Sequence, residues 1–163
     1  MRSRLAISPQ LYARITFVAL AALSLIVLTG AAVRLTGSGL GCPDWPKCYG
    51  RVVAPLEFHA VVEYGNRLIT GLVGIVVIAA AGLAWFRRPF RWHLAVLGAL
   101  LPLGVMGQAV LGALVVKYDL KPQLVIGHYL LSMLLLDCAF ALASTSRRSC
   151  MPASPSSRSA PWR

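Results

Sequence analysis

Four apolar stretches dominate this chain: Ile15–Val33, Leu68–Phe86, Leu94–Val116 and Leu124–Ala143. Each is near or above the ~18–20 residues needed to cross the hydrocarbon core of a bilayer. In lipid every backbone polar group must be satisfied inside the segment itself, so the stretches are read as transmembrane helices. The first follows Arg2, Arg4 and Arg14 in the manner of a secretory signal. It exceeds the apolar core of such a signal, about 7–15 residues, so a retained helix is expected. Composition agrees with lipid as part of the solvent. Of 163 residues, 58% are hydrophobic and 13% charged, against about 45–50% and about 25% in soluble domains. The net charge of +11 would suggest nucleic acid in a polar chain. Here it instead asks which side of the membrane holds the arginines, and nucleic-acid binding is set aside.

The basic residues divide unequally between the two sides. Arg2, Arg4, Arg14, Arg87, Arg88, Arg91, Arg147, Arg148, Arg158 and Arg163 fall on the side of the termini. Arg34, Lys47, Arg51, Arg67, Lys117 and Lys121 fall on the other, diluted by Asp44, Glu57, Glu63 and Asp119. The positive-inside bias then places both termini in the cytoplasm. The segments Arg34–Arg67 and Lys117–Pro122 face outward from the cell membrane. The expected fold is all-α: an integral membrane antiparallel four-helix bundle over residues 1–143. Residues 144–163, rich in Ser, Pro and Arg, read as a disordered cytoplasmic tail.

Packing is foreshadowed by small-xxx-small pairs, Ala80/Ala84 on helix two and Ala95/Ala99 and Ala109/Ala113 on helix three. Pro102 is expected to kink helix three, and Gln108 to point inward. Asp137 is the test of helix four. Its ten Leu, Ile, Val and Phe residues supply roughly −3 to −6 kcal/mol, enough to outweigh the ~2.5–3.5 kcal/mol of one central Asp. Asp137 is accordingly expected to face the bundle or the cytoplasmic interface.

Reactive residues gather on the outer side. From Thr36 the chain reads Thr-Gly-Ser-Gly-Leu-Gly-Cys-Pro-Asp-Trp-Pro-Lys-Cys-Tyr-Gly, and its glycines and prolines exclude a helix. In an oxidising compartment Cys42 and Cys48 favour a disulfide, one open to exchange with a redox partner. Two thiolates and one nearby His are too few for a closed tetrahedral metal site. Cys138 and Cys150 are expected free. His59, Glu63, Asn66, Arg67 and Thr70 share a helical face. Two readings stand side by side: a Glu63–Arg67 ion pair at i,i+4, or a poised Glu63 carboxylate with Arg67 set to neutralise an anionic ligand. His128 lies about a turn inside helix four, at the depth of Asn66 and Arg67. It is either a hydrogen-bonded core residue or an intramembrane ligand, and a neutral imidazole in a dry bundle suits haem iron. His93 reads as an interface residue, His59 as structural within the outer loop.

These residues carry a resemblance. The Arg34–Gly50 loop is similar to the first outer loop of the haem A synthase family. Glu63…Arg67 resembles that family's Glu-x-x-His-Arg element, and Gly127-His128-Tyr129 its helix-four histidine. The likeness covers roughly residues 10 to 143 and corresponds to the family's N-terminal four-helix half. It implies a membrane oxidoreductase that oxidises the C8 methyl of haem O to the formyl group of haem A for cytochrome oxidase. Water supplies the oxygen, and electrons leave through haem b. It further implies Glu63 as the catalytic carboxylate, His128 as an axial iron ligand, Arg34 or Arg67 as propionate partners, and Cys42–Cys48 as a disulfide. Implied partners are membrane lipid, haem O, haem O synthase, cytochrome oxidase assembly factors and a second copy of the chain.

Two departures stand out. Asn66 occupies the place of the helix-two histidine, a position counted among the haem-binding residues, and a bis-His haem b is thereby disfavoured. The second four-helix half has no counterpart in this chain, which suggests a truncated or single-repeat copy. The alternatives are a haem-holding or haem-transfer protein without oxidation activity, an inactive fragment, or a cofactor-free scaffold.

Overall fold

Four helices account for most of the computed structural model, which describes residues 6–150. They are α1 (Pro9–Leu35), α2 (Phe58–Ala84), α3 (Trp92–Lys117) and α4 (Pro122–Arg148). The N-terminus of α1 is set by Ser8, whose hydroxyl accepts from the Leu11 N–H at 3.2 Å, with Pro9 in the first turn. Pro122 stands likewise in the first turn of α4, whose N-cap Lys121 makes no side-chain cap bond. At 26 or 27 residues each, the helices are about 40 Å long and exceed the ~30 Å hydrocarbon core. All four are long and apolar enough to cross a membrane. The large apolar residues that remain exposed, among them Leu28, Leu72, Ile75 and Leu134, are what a lipid-facing surface requires.

The helices run past the apolar stretches that announce them. Helix α2 begins ten residues before Leu68 and takes in His59, which the sequence assigns to the loop. It ends at Ala84, so Phe86 lies beyond it. Hydropathy detects only the lipid-facing part of a helix, and the first turns of α2 pack on the polar loop instead. At the other end, α4 continues through Ser144–Arg148, which the sequence assigns to a disordered tail. The Ser144 hydroxyl donates to the Ala141 carbonyl at 3.1 Å and the Ser149 hydroxyl to that of Thr145 at 2.9 Å. Arg147 and Arg148 add cations at the negative end of the helix dipole. Arg2, Arg4, Arg158, Arg163 and the remainder of the tail, 151–163, lie outside the described residues.

The helices form a four-cornered antiparallel bundle in which sequence neighbours pack together and α1 closes against α4. The pairs α1–α3 and α2–α4 lie on the diagonals. Small residues permit close approach where expected. Ala80, Ala84 and Ala95 are buried, and a Cβ on Gly98 would stand 3.3 Å from the Ala81 Cα. Ala99, by contrast, faces outward.

The packed core occupies only one half of the bundle, the end that holds both termini. Its members include Tyr12 and Leu23 on α1, Val73 and Ala84 on α2, Leu94 and Leu101 on α3, and Leu135 and Leu142 on α4. Between Leu101 and Val116 no residue of α3 is fully buried, and none of α4 is before Leu135. Leu135 forms the floor of the emptier half: a Cβ on Gly104 would fall 2.3 Å from its Cδ2.

Of the two placements expected for Asp137, the bundle-facing one does not hold. Asp137 is exposed on the outside of α4 and does not face the bundle. Leu135, Ala139, Leu142 and Ser146 carry the buried side; two residues on from Leu135, Asp137 is turned about 200° away from it.

Candidate functional site

The loop between α1 and α2 folds around two carboxylates and one guanidinium. Glu63, only 5% exposed, sits one turn into α2. Its Oε2 accepts the Cys42 N–H at 2.9 Å, and its Oε1 accepts Arg67 Nη2 at 2.5 Å. The i,i+4 ion pair is therefore present. Arg67 extends past it into the loop, where Nη1 donates to the carbonyls of Asp44 at 2.8 Å and Lys47 at 2.9 Å, and Nη2 to that of Cys42 at 3.3 Å. Asp44 closes the tip by accepting from the Tyr49 and Gly50 N–H groups at 2.6 and 2.8 Å. Charge-assisted bonds of this kind are roughly twice as strong as neutral ones. They hold a segment that has no apolar core beyond the small cluster of Cys42, Cys48 and Ala60.

Cys42 and Cys48 form the disulfide, with Cα atoms 4.7 Å apart. Both are fully buried. The exchange admitted by the sequence thus has no direct approach here, since a thiolate must reach a sulfur to attack it. Gly41 explains how the loop gets so close to α2. A Cβ there would lie 2.1 Å from the His59 carbonyl oxygen, a backbone atom that cannot step aside. His59 itself is structural, its Nδ1 2.9 Å from the Ser38 hydroxyl. An open groove of about 490 Å³ runs along this loop beside Leu40, Tyr49, Glu57 and His59. His128 is not among its lining residues.

Deeper in the bundle lie Asn66 and His128. Asn66 is eight residues into α2 and His128 six into α4, depths of about 12 and 9 Å. They stand on diagonal helices and no hydrogen bond joins them. Asn66 Oδ1 accepts from the Thr29 hydroxyl of α1 at 2.8 Å. Around His128, Gln108 Nε2 donates to its carbonyl at 3.0 Å and to the Ser132 hydroxyl at 2.6 Å. Ser132 in turn donates to the same carbonyl at 2.9 Å. Gln108 does point inward. The imidazole remains without a partner: His128 Nδ1 and Gln108 Oε1 are buried and unpaired among the described residues. Helix α3 leaves room beside the ring, a Cβ on Gly112 being 3.7 Å from His128 Cε1.

Each site residue predicted from sequence now has a place. Glu63 and Arg67 are brought together with Cys42 and Cys48, while the side chains of His128 and Asn66 make no hydrogen bond to any of them. Arg34 is exposed in the last turn of α1, and its side chain makes no hydrogen bond among the described residues. Cys138 and Cys150 are free. Sequence reasoning passed over Thr29 and Ser132. The second was detectable, since it lies four residues from His128 on the same helical face. It also counted Arg87 only as a topological marker. Arg87 is 1% exposed, with Nη1 on the Pro89 carbonyl at 2.5 Å. Burial pulls its guanidinium below its ordinary basicity, and the nearby Arg91 charge pulls in the same direction.

Comparison with known proteins gives this arrangement a context. The profile of the cytochrome oxidase assembly protein family (COX15-CtaA) matches residues 13–163. Haem A synthase from Geobacillus kaustophilus is 35% identical over 121 residues, covering 74% of this chain and 37% of the relative. That from Geobacillus thermodenitrificans is 33% identical over 139 residues, covering 83% and 43%. The Shewanella oneidensis haem A synthase is 31% identical over 141 residues, covering 69% and 40%. The chain thus spans about two fifths of the length of these curated relatives. The family profile runs through all four membrane helices and the buried disulfide loop between the first two, and on that match the chain belongs to the cytochrome oxidase assembly protein family.

Proposed function

We propose that the less filled half of the bundle receives haem O, and that the chain acts in haem A biosynthesis by oxidising the C8 methyl of that substrate to a formyl group. One observation carries the reading: the packed core stops at Leu23, Val73, Leu101 and Leu135, and in the space beyond it His128 presents a buried ring nitrogen with no partner. A buried polar atom left unpaired is costly, and iron coordination is a chemistry that suits imidazole. The residues fit a porphyrin bound through one histidine. They do not offer a second imidazole, because Asn66 takes that place and its carbonyl oxygen is engaged by Thr29.

The roles of this chain's residues follow from their surroundings. His128 holds the iron from α4, and Gln108 with Ser132 fixes the turn that carries it. Arg34 is the propionate partner, since Arg67 is already engaged with three loop carbonyls and Glu63. Glu63 assists the oxidation as a proton acceptor. Each of its oxygens accepts one bond, from Cys42 N–H or from Arg67, and keeps a second lone pair for a proton. Oxidation of a methyl to a formyl group takes its oxygen from water and releases electrons to an external acceptor, because the single imidazole here does not fit a bis-His haem b. The cysteine loop lies on the extracytoplasmic side, an orientation supported by the arginines that crowd the opposite end.

A second reading keeps the haem and removes the oxidation. It is favoured by Asn66, which leaves one imidazole where a pair would hold a haem b, and it makes the chain a haem-holding or haem-transfer protein. One experiment addresses both. Purified from membranes supplied with haem O, the protein is expected to show a Soret band and a pyridine haemochrome spectrum that His128→Ala abolishes. Appearance of haem A in the wild-type sample selects the enzyme; its absence with an intact Soret band selects the carrier. Colourless wild-type protein, or a spectrum unchanged in His128→Ala, overturns both readings.

A further inference from the structure

Between His93 and Lys117, Gln108 is the only polar side chain of α3, and its amide is satisfied on one side alone. Both protons of Nε2 are placed, one on the His128 carbonyl at 3.0 Å and one on the Ser132 hydroxyl at 2.6 Å. Oε1 is buried and receives no donor among the described residues. Turning the amide over does not relieve it. The His128 carbonyl can only accept, so an exchanged oxygen would meet its lone pairs. Ser132 already spends its proton on that carbonyl at 2.9 Å and needs a donor in return. The network therefore holds the nitrogen toward α4 and leaves the oxygen as a bare acceptor. One turn away on either side, the same face of α3 carries Gly104 and Gly112, so the adjacent positions of that row have no side chain to cover it.

A buried acceptor without a donor is costly, and it selects its ligand by chemistry. Carboxylates and ethers bring no proton and hydrocarbon brings nothing, whereas a hydroxyl donates. The haem O of the proposed function carries one neutral donor of this kind, the hydroxyl of its hydroxyethylfarnesyl chain. Its other substituents are methyls, a vinyl group and two ionised propionates. Depth agrees with that donor. Gln108 lies nine residues from Lys117 and His128 six from Pro122, about 14 and 9 Å from the same end of the bundle. The amide thus stands deeper than the imidazole, and Arg34 marks the shallow end on α1. With the propionates drawn to Arg34, the edge of the macrocycle that bears the hydroxyethylfarnesyl chain is the deeper one. We infer that Gln108 Oε1 accepts a hydrogen bond from the hydroxyl of haem O and so distinguishes this substrate from haems that lack the group. The inference rests on the haem reading above and adds to it a residue that reads the substrate's side chain.

The test is equilibrium titration of the purified full chain in detergent, followed at the Soret band, with haem O and with haem B, which bears a vinyl group in place of the hydroxyethylfarnesyl chain. Gln108→Met, nearly isosteric, and Gln108→Leu both remove the acceptor. Neither strands a partner, because Ser132 still donates to the His128 carbonyl. Each variant is expected to bind haem O about tenfold more weakly and haem B within about twofold of wild type. Taking the change for each haem separately cancels the contribution of the farnesyl tail, and retained haem B binding shows that the variants fold. Equal weakening of both haems, complete loss included, would make Gln108 a support for His128 and overturn the inference while the haem reading stands. Unchanged affinity for haem O in both variants would overturn it as well. Wild-type protein that binds neither haem would remove the haem reading and this inference together.

Discussion

Glu63→Ala is expected to destabilise the protein by about 3–5 kcal/mol, the range for removing one member of a buried ion pair. The loss is of two kinds. Arg67, with only 15% of its side chain exposed, keeps its charge without the partner at 2.5 Å. The Cys42 N–H loses its acceptor in a region the disulfide has already closed to water. The loop should then separate from α2, and the sulfurs of Cys42 and Cys48 become accessible to reductant and alkylating reagent. Thermal unfolding in detergent and thiol labelling would report both effects. Glu63→Gln separates structure from chemistry. Its amide oxygen can still accept from Cys42 or Arg67, so the loop disulfide and protein level are expected to stay normal. Under the proposed function, conversion of haem O is lost. Unchanged product in that variant would remove Glu63 from the reaction.

Gly41→Ala should act on the same junction by sterics alone. The new Cβ meets the carbonyl oxygen of His59 at 2.1 Å and the Ala60 nitrogen at 2.8 Å, both part of the α2 backbone. Neither can rotate away, so the loop must withdraw, and the bonds from Cys42 to Glu63 and from Arg67 to the loop carbonyls lengthen together. Overpacking and the stranded polar groups together should cost at least about 3 kcal/mol. Gly71→Ala is the matching control. Its Cβ meets nothing within 4 Å, and the substitution removes backbone freedom from a helix interior, a gain of about 0.5–1 kcal/mol where the conformation is compatible. Equal melting temperatures for the two variants would show that the close approach at Gly41 does not matter.

The bundle itself was legible because lipid makes helices the required answer for long apolar runs, and four runs of Leu, Val, Ile and Ala are unmistakable. The helix ends were less legible. Phe58–Arg67 is helical on account of contacts with the loop, and Ser144–Arg148 on account of hydroxyls bonding back into the helix; neither leaves a mark on hydropathy. Spacing placed Glu63 and Arg67 together and offered two readings. It did not reveal that Arg67 holds the loop, because its acceptors there are carbonyls, which every residue has. Which of its two expected placements Asp137 takes was hidden for a related reason. The bundle-facing one rested on the cost of a charge in lipid, whereas the rotation of α4 is set by Leu135, Ala139 and Leu142 packing against neighbouring helices.

Under the proposed function, the uneven filling of the bundle has a consequence for how the haem gets in. Cooperative stability concentrates where apolar side chains interlock, and thinly packed regions open at lower free energy. Admission of a flat aromatic disc would then part the thinly packed upper walls while the base bounded by Leu101 and Leu135 stays packed. Once seated, such a guest supplies the cohesion those walls lack and raises their resistance to melting by mass action. Insertion and release then become local events at the mouth of a cup whose bottom stays shut.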